Sequence, residues 1–174
     1  MIAEEIKKYC PLDEITEENR VILESEAKGR KRATEALLRV NSELEIKYTP
    51  ALYCKKKNDP NNAFDIYFLS GTTTVCVEAK DRRKYNFNDY DEWVIDEAKV
   101  NKLQALPKVS KSGKPVEVWY ISTYNDGYRI WDIEAPHRTE QRYYPISTDK
   151  PELGNKYKGE CYYKNNDTKW YGKF

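Results

Sequence analysis

Asp65, Glu78 and Lys80 are residues whose types and spacing can do chemistry together. They stand in Phe64-Asp65-Ile66-Tyr67-Phe68-Leu69-Ser70-Gly71-Thr72-Thr73-Thr74-Val75-Cys76-Val77-Glu78-Ala79-Lys80, which reads as two strands of alternating pattern folded back at a glycine. Side chains alternate along a strand, so Thr74, Cys76, Glu78 and Lys80 share one face and Val75, Val77 and Ala79 the other. With Gly71-Thr72 as a two-residue loop, glycine takes the first position of a type II′ turn. Leu69 then faces Thr74, and Asp65 falls opposite Glu78, with Cβ atoms roughly 4.5–5.5 Å apart. A Ser70-Gly71 loop keeps Asp65 on that side, diagonal to Glu78; a three-residue loop sends it to the other.

Two carboxylates this close repel, and without a counter-charge at least one pKa rises. A divalent cation removes the conflict, and hard oxygen ligands suit Mg²⁺ or Mn²⁺. Such an ion polarises a phosphodiester and acidifies its own water. Lys80, one repeat further along the same face, is placed to orient that water or to offset charge in the transition state.

On these residues the sequence resembles the PD-(D/E)xK nuclease superfamily, with its restriction-endonuclease-like fold. Asp65 and then Glu78-Ala79-Lys80, within residues 75–82, carry the likeness, and the order of elements follows it from about residue 20 to about 133. The resemblance implies a metal, Mg²⁺ or Mn²⁺, bound by Asp65 and Glu78, with Lys80 assisting the attacking water. It implies an endodeoxyribonuclease hydrolysing DNA, resolvase-like or phage-derived, and a homodimer, as is common among small single-domain members. Phe64 stands where the family often has proline, a position without chemistry. A first-helix glutamate near the metal is also implied; Glu24, Glu26 and Glu35 are available, and Glu35 is preferred as nearest the first strand. The alternative is a catalytically inactive nucleic-acid-binding or assembly module of the same fold.

If the scissile phosphate sits on the metal, its neighbours come within reach of Arg82, Arg83 and Lys84, which leave the same strand end. Lys99 and Lys102, about one turn apart on the next helix, share a face with one another. The competing reading pairs the arginines with Asp81, Asp89 or Asp91. With 30 Lys and Arg against 29 Asp and Glu, the net charge is +1. DNA binding must therefore come from local patches rather than a global field.

At 174 residues the chain reads as a single α/β domain bordering on α+β, with a central mixed sheet flanked by helices in α-β-β-β-α-β order. Its core spans about 20–133, and a Tyr/Lys-rich extension follows from about 135 to 174. Residues 16–40 read as helical, with Gly29 marking either two helices or one approached closely by a partner. Residues 44–55 read as a first strand, with Pro50 arguing for an edge or a bend, and 58–62 as a turn. A helix is expected from about 89 to 106, then an apolar strand from 116 to 122 suited to a parallel crossover, then a hairpin at 124–127. The tail reads as a terminal strand pair packing its tyrosines, or else as a base-stacking surface.

Other chemistries find little support. His137 is the sole histidine, so Ser-His-Asp, Cys-His and His-rich zinc sites would all pass through it, and a surface or structural role is expected. Gly113-Lys114 lacks the upstream glycine of a phosphate-binding loop. Cys10, Cys54, Cys76 and Cys161 are scattered and read as reduced thiols of a cytoplasmic protein. No apolar run is long enough to span a bilayer.

Overall fold

The computed structural model describes residues 16–49, 63–145 and 156–174. Helix α1 (Glu17–Val40) starts at a reciprocal cap: the Asn19 N–H donates to Thr16 Oγ1 at 3.3 Å, and the Thr16 N–H donates to Asn19 Oδ1 at 2.8 Å. Leu23, Ala27, Arg30, Ala33, Ala36 and Leu37 form its buried stripe at helical spacing. The helix runs unbroken through Gly29. A Cβ there would lie 3.4 Å from Asp81 Cβ, so this glycine marks a close approach and not a break.

The strands are β1 (Lys47–Tyr48), β2 (Ile66–Ser70), β3 (Thr73–Arg82), β4 (Glu92–Asp96), β5 (Val116–Tyr124), β6 (Gly127–Asp132), β7 (His137–Tyr144), β8 (Lys156–Lys164) and β9 (Trp170–Lys173), with helix α2 (Glu97–Gln104) after β4. The main sheet has the order β1-β2-β3-β5-β6-β9 and is mixed: β3 and β5 are parallel, the other neighbours antiparallel. A second, antiparallel sheet has the order β4-β8-β7. The fold is α/β.

The β2–β3 hairpin takes the register set by a Gly71-Thr72 loop, with Leu69 opposite Thr74 and Ser70 opposite Thr73. Gly71 has φ +59°, a conformation glycine adopts without strain. Strand β3 is buried on both faces over residues 75–77 because it feeds two cores there. Val75 and Val77 pack with Ile66, Trp119, Ile121 and the α1 stripe. Cys76 packs with Tyr120, Trp131, Trp93, Tyr163 and Leu103 on the other face. The main sheet thus lies between α1 and a layer made of α2 and the second sheet.

Four expectations change. The helix expected over 89–106 is β4 followed by α2. Trp93 and Ile95 are buried in alternation with half-buried neighbours and pair with Tyr163 and Cys161 of β8. The helix begins only at Asp96, whose Oδ1 accepts the Ala98 N–H at 3.0 Å. Strand β3 continues through Arg82, so the charged loop expected over 81–84 starts two residues later, at Arg83. Residues beyond 133 supply β7, β8 and β9, and Cys161 and Tyr163 are buried in the core. The tail strands pair with older parts of the fold: β8 with β4 and β7, β9 with β6. Of the first strand only Lys47–Tyr48 appears; residues 50–55, the 58–62 turn, Cys10 and Cys54 lie outside the described residues. Among the described residues, no helix is long and apolar enough to cross a membrane.

Candidate active site

The β2–β3 ladder ends at Ile66 opposite Val77. Asp65, one residue before β2, donates its N–H to the Val77 carbonyl at 2.9 Å, and its Oδ2 accepts the Ala79 N–H at 3.0 Å. The carboxylate is therefore laid against β3. Its Oδ1 lies 3.3 Å from Nη2 of Arg30, a guanidinium buried on the α1 stripe that also donates to the Thr49 carbonyl. Residues from α1, the segment after β1 and β3 together fix one carboxylate.

Glu78 sits on β3 opposite Tyr120 of the parallel neighbour β5, with 15% of its side chain exposed. Burial is the largest force on it: taking a carboxylate out of water favours its neutral form. The negative charge of Asp65 adds to this, and Lys99 only partly offsets it, so the Glu78 carboxyl is pushed up to about 8. Lys99 reaches across from the first turn of α2, its Nζ 2.8 Å from Glu78 Oε2. This is a charge contact and not an aligned hydrogen bond, since that oxygen is buried and accepts none. Lys80 follows on the same face, exposed. Glu26, Arg30, Asp65, Glu78, Lys80 and Lys99 border one cleft of about 370 Å³.

Asp65, Glu78 and Lys80 are thus brought together by the hairpin register and the β3 pleat. Glu35 is not with them. It is exposed, and the α1 glutamate on the cleft is Glu26. Nine residues separate the two, about two and a half turns, which puts them on opposite sides of a helix. Glu24 pairs with Arg20 at 3.0 Å.

The basic residues also divide. Arg82 is engaged within the protein: it donates from Nε to Ser122 Oγ at 2.9 Å, and from Nη2 to Tyr120 Oη at 3.0 Å and to the Val94 carbonyl. It ties the main sheet to β4. Arg83 pairs with Asp81 at 2.6 Å, while Lys84 and Lys102 are exposed. Lys99 turns inward to Glu78, away from Lys102. His137 is structural, with Nδ1 2.9 Å from the Ala135 carbonyl oxygen and its ring stacked on Tyr163 at 4.8 Å. Cys76 and Cys161 are free and buried, and burial pushes the Cys76 thiol up to about 11.

Two parts of the site escaped sequence reasoning. Arg30 continues the spacing Leu23, Ala27, Arg30, Ala33, Leu37, and a guanidinium at a core position of a helix signals a buried partner. Lys99 carries no such mark, because its direction depends on where β4 gives way to α2.

The donor set suits a hard divalent cation. Among the described residues no group of three or more His, Cys, Asp or Glu converges. Asp65 and Glu78 are the carboxylates that could hold such an ion, the Glu78 Oε2 atom being held by Lys99 in this structure. Mg²⁺ is commonly held this way, by one or two carboxylates, its other positions going to water and substrate phosphate.

No family model, curated protein or solved structure matches this chain.

Proposed function

We propose that the chain is a Mg²⁺- or Mn²⁺-dependent endodeoxyribonuclease of the PD-(D/E)xK kind. The observation that carries this reading is the buried Glu78 carboxyl, crowded by Asp65 at a strand end where Lys80 and Lys99 also converge. Bringing two carboxylates together in a half-buried cleft is unfavourable for the metal-free protein, and a cation between them relieves it.

Asp65 and Glu78 would hold that cation, which when bound supplies polarisation of a phosphodiester and a more acidic water. The residues of the chain do the rest. Arg30 and the Ala79 N–H fix the direction of the Asp65 carboxylate. Lys80, open to solvent beside the pair, orients the attacking water and offsets negative charge on the phosphate. Lys99 supplies a positive charge to Glu78 at 2.8 Å and borders the same cleft, where it would offset negative charge on a bound phosphate.

The test is cleavage of supercoiled plasmid and of branched DNA by the purified chain with Mg²⁺ or Mn²⁺, beside Asp65→Asn and Glu78→Gln. Metal-dependent nicking lost in both variants supports the assignment. Absence of cleavage by the folded protein on every substrate, or cleavage that survives both substitutions, refutes it.

A further inference from the structure

The cleft does not end at Lys80. A second recess, about 240 Å³, shares Glu78, Lys80 and Lys99 with it and continues to Arg82 and Val94. Those two residues also border a third recess of about 390 Å³, where Tyr85, Tyr90, Trp93 and Arg142 gather. Tyr90, Glu92 and Tyr162 carry the path into a fourth, about 670 Å³, alongside Arg138 and Lys164. Four strand residues separate Glu78 from Arg82, roughly 13 Å. These recesses form a row, a stepped trough from the carboxylates to the aromatic rings, with Arg82, which donates to the Val94 carbonyl, standing between the second and the third.

The rings are arranged as a shelf. Tyr85, Tyr90 and Trp93 meet edge to face, with centroids 5.7, 5.9 and 5.3 Å apart. Trp93 is buried, whereas Tyr85 and Tyr90 are 39% and 54% exposed. A ring braced from below and open above presents a π-face at little entropic cost. The indole N–H of Trp93, in the same recess, has no acceptor among the described residues. Acids along the trough are largely engaged within the protein: Glu92 by Arg138 at 2.8 Å, Glu160 by the Tyr144 and Tyr162 hydroxyls, and Asp96 by Lys158. Lys80, Arg142 and Lys164 are exposed along it, and Asp91 is the exposed acid at its far end.

We propose that this trough binds an unpaired nucleic-acid strand, its bases stacked on Tyr85 and Tyr90 and its backbone running past Arg142 and Lys80 towards Asp65 and Glu78. Within a duplex the base faces are hidden in the stack, so only a single strand can use such a shelf. The direction of the strand rests on the nuclease reading, and it narrows the substrate to DNA bearing an overhang, flap or branch.

The experiment is fluorescence anisotropy of a labelled short oligothymidylate with the full chain in EDTA, beside a blunt duplex of equal length. The single strand should bind more tightly than the duplex. Tyr85→Ala with Tyr90→Ala should weaken it at least about tenfold, while the matching phenylalanine pair, which keeps the rings, should bind like wild type. Binding indifferent to the alanine pair, or preference for the duplex, overturns the proposal. Because no metal is present, the two readings fail separately. Tyrosine-dependent binding without any cleavage would sink the nuclease reading alone. Cleavage alongside tyrosine-independent binding would sink the trough alone.

Discussion

Glu78→Gln should make the metal-free protein more stable in alkali and change it little in acid. The carboxyl titrates near 4.5 when unperturbed and is pushed up to about 8 in the fold. The folded protein therefore holds this proton longer than the unfolded chain does. The associated stability is fully present below about pH 4.5, is lost as pH rises to about 8, and is flat beyond. Each unit of pKa corresponds to about 1.4 kcal/mol, which sets a ceiling of about 5 kcal/mol. Water reaching the cleft and the nearby Lys99 charge screen the site, and we expect about 1–3 kcal/mol to be seen. Glutamine is nearly isosteric and cannot ionise, so the difference between the two proteins cancels every other titration. Urea unfolding in EDTA from about pH 5 to about pH 9 measures it, and excess Mg²⁺ should shrink the loss in wild type. A difference that stays flat across that range in EDTA would refute the buried, Asp65-crowded placement of Glu78.

Asp65→Ala, Glu78→Ala and Lys80→Ala should each abolish metal-dependent cleavage with the far-ultraviolet circular dichroism unchanged, and any double variant should be scarcely worse than a single one. Arg82→Ala should destabilise by about 2–4 kcal/mol in urea titrations, since it removes the donor to the Val94 carbonyl and to the Ser122 and Tyr120 hydroxyls from a largely buried join, whereas neutralising Arg83 and Lys84 should leave stability alone. The Arg83/Lys84 pair should instead weaken DNA binding equally across sequences and flatten its salt dependence by up to about 2 in slope; an unchanged slope would confine Arg83 to its partner Asp81. Gly29→Ala should be neutral or stabilising by up to about 1 kcal/mol by thermal melting, because a single Cβ just fits against Asp81, while Gly29→Leu should destabilise by wedging α1 off β3.

What was legible in the chain was local. The first helix over about 16–40, the Gly71 turn that fixes the β2–β3 register, and the β5–β6 hairpin all follow from residues adjacent in sequence. The register alone placed Asp65 beside Glu78. What was hidden depended on distant partners. Trp93, Asp96, Val100 and Leu103 also satisfy a helical spacing, and only the pairing of Trp93 and Ile95 with β8 makes that segment extended up to Asp96. That boundary sets the rotation of α2 and hence sends Lys99 to Glu78. The choice of Glu26 over Glu35 likewise hangs on the close approach at Gly29, which fixes the phase of α1 against β3.

The pairing of β9 with β6 also bears on how the chain comes off the ribosome. Strand β6 is buried along nearly its whole length, yet its outer hydrogen-bonding groups are claimed only when residues 170–173 arrive. Until then a largely buried strand carrying Tyr128, Ile130 and Trp131 would offer an open edge to any neighbouring nascent chain, the ordinary starting point of aggregation. The finished fold ends instead in a four-residue edge with Lys169 and Lys173 at its ends. Variants in which residues 170–173 are removed or cannot pair with β6 should therefore fail by clumping before they fail by losing chemistry.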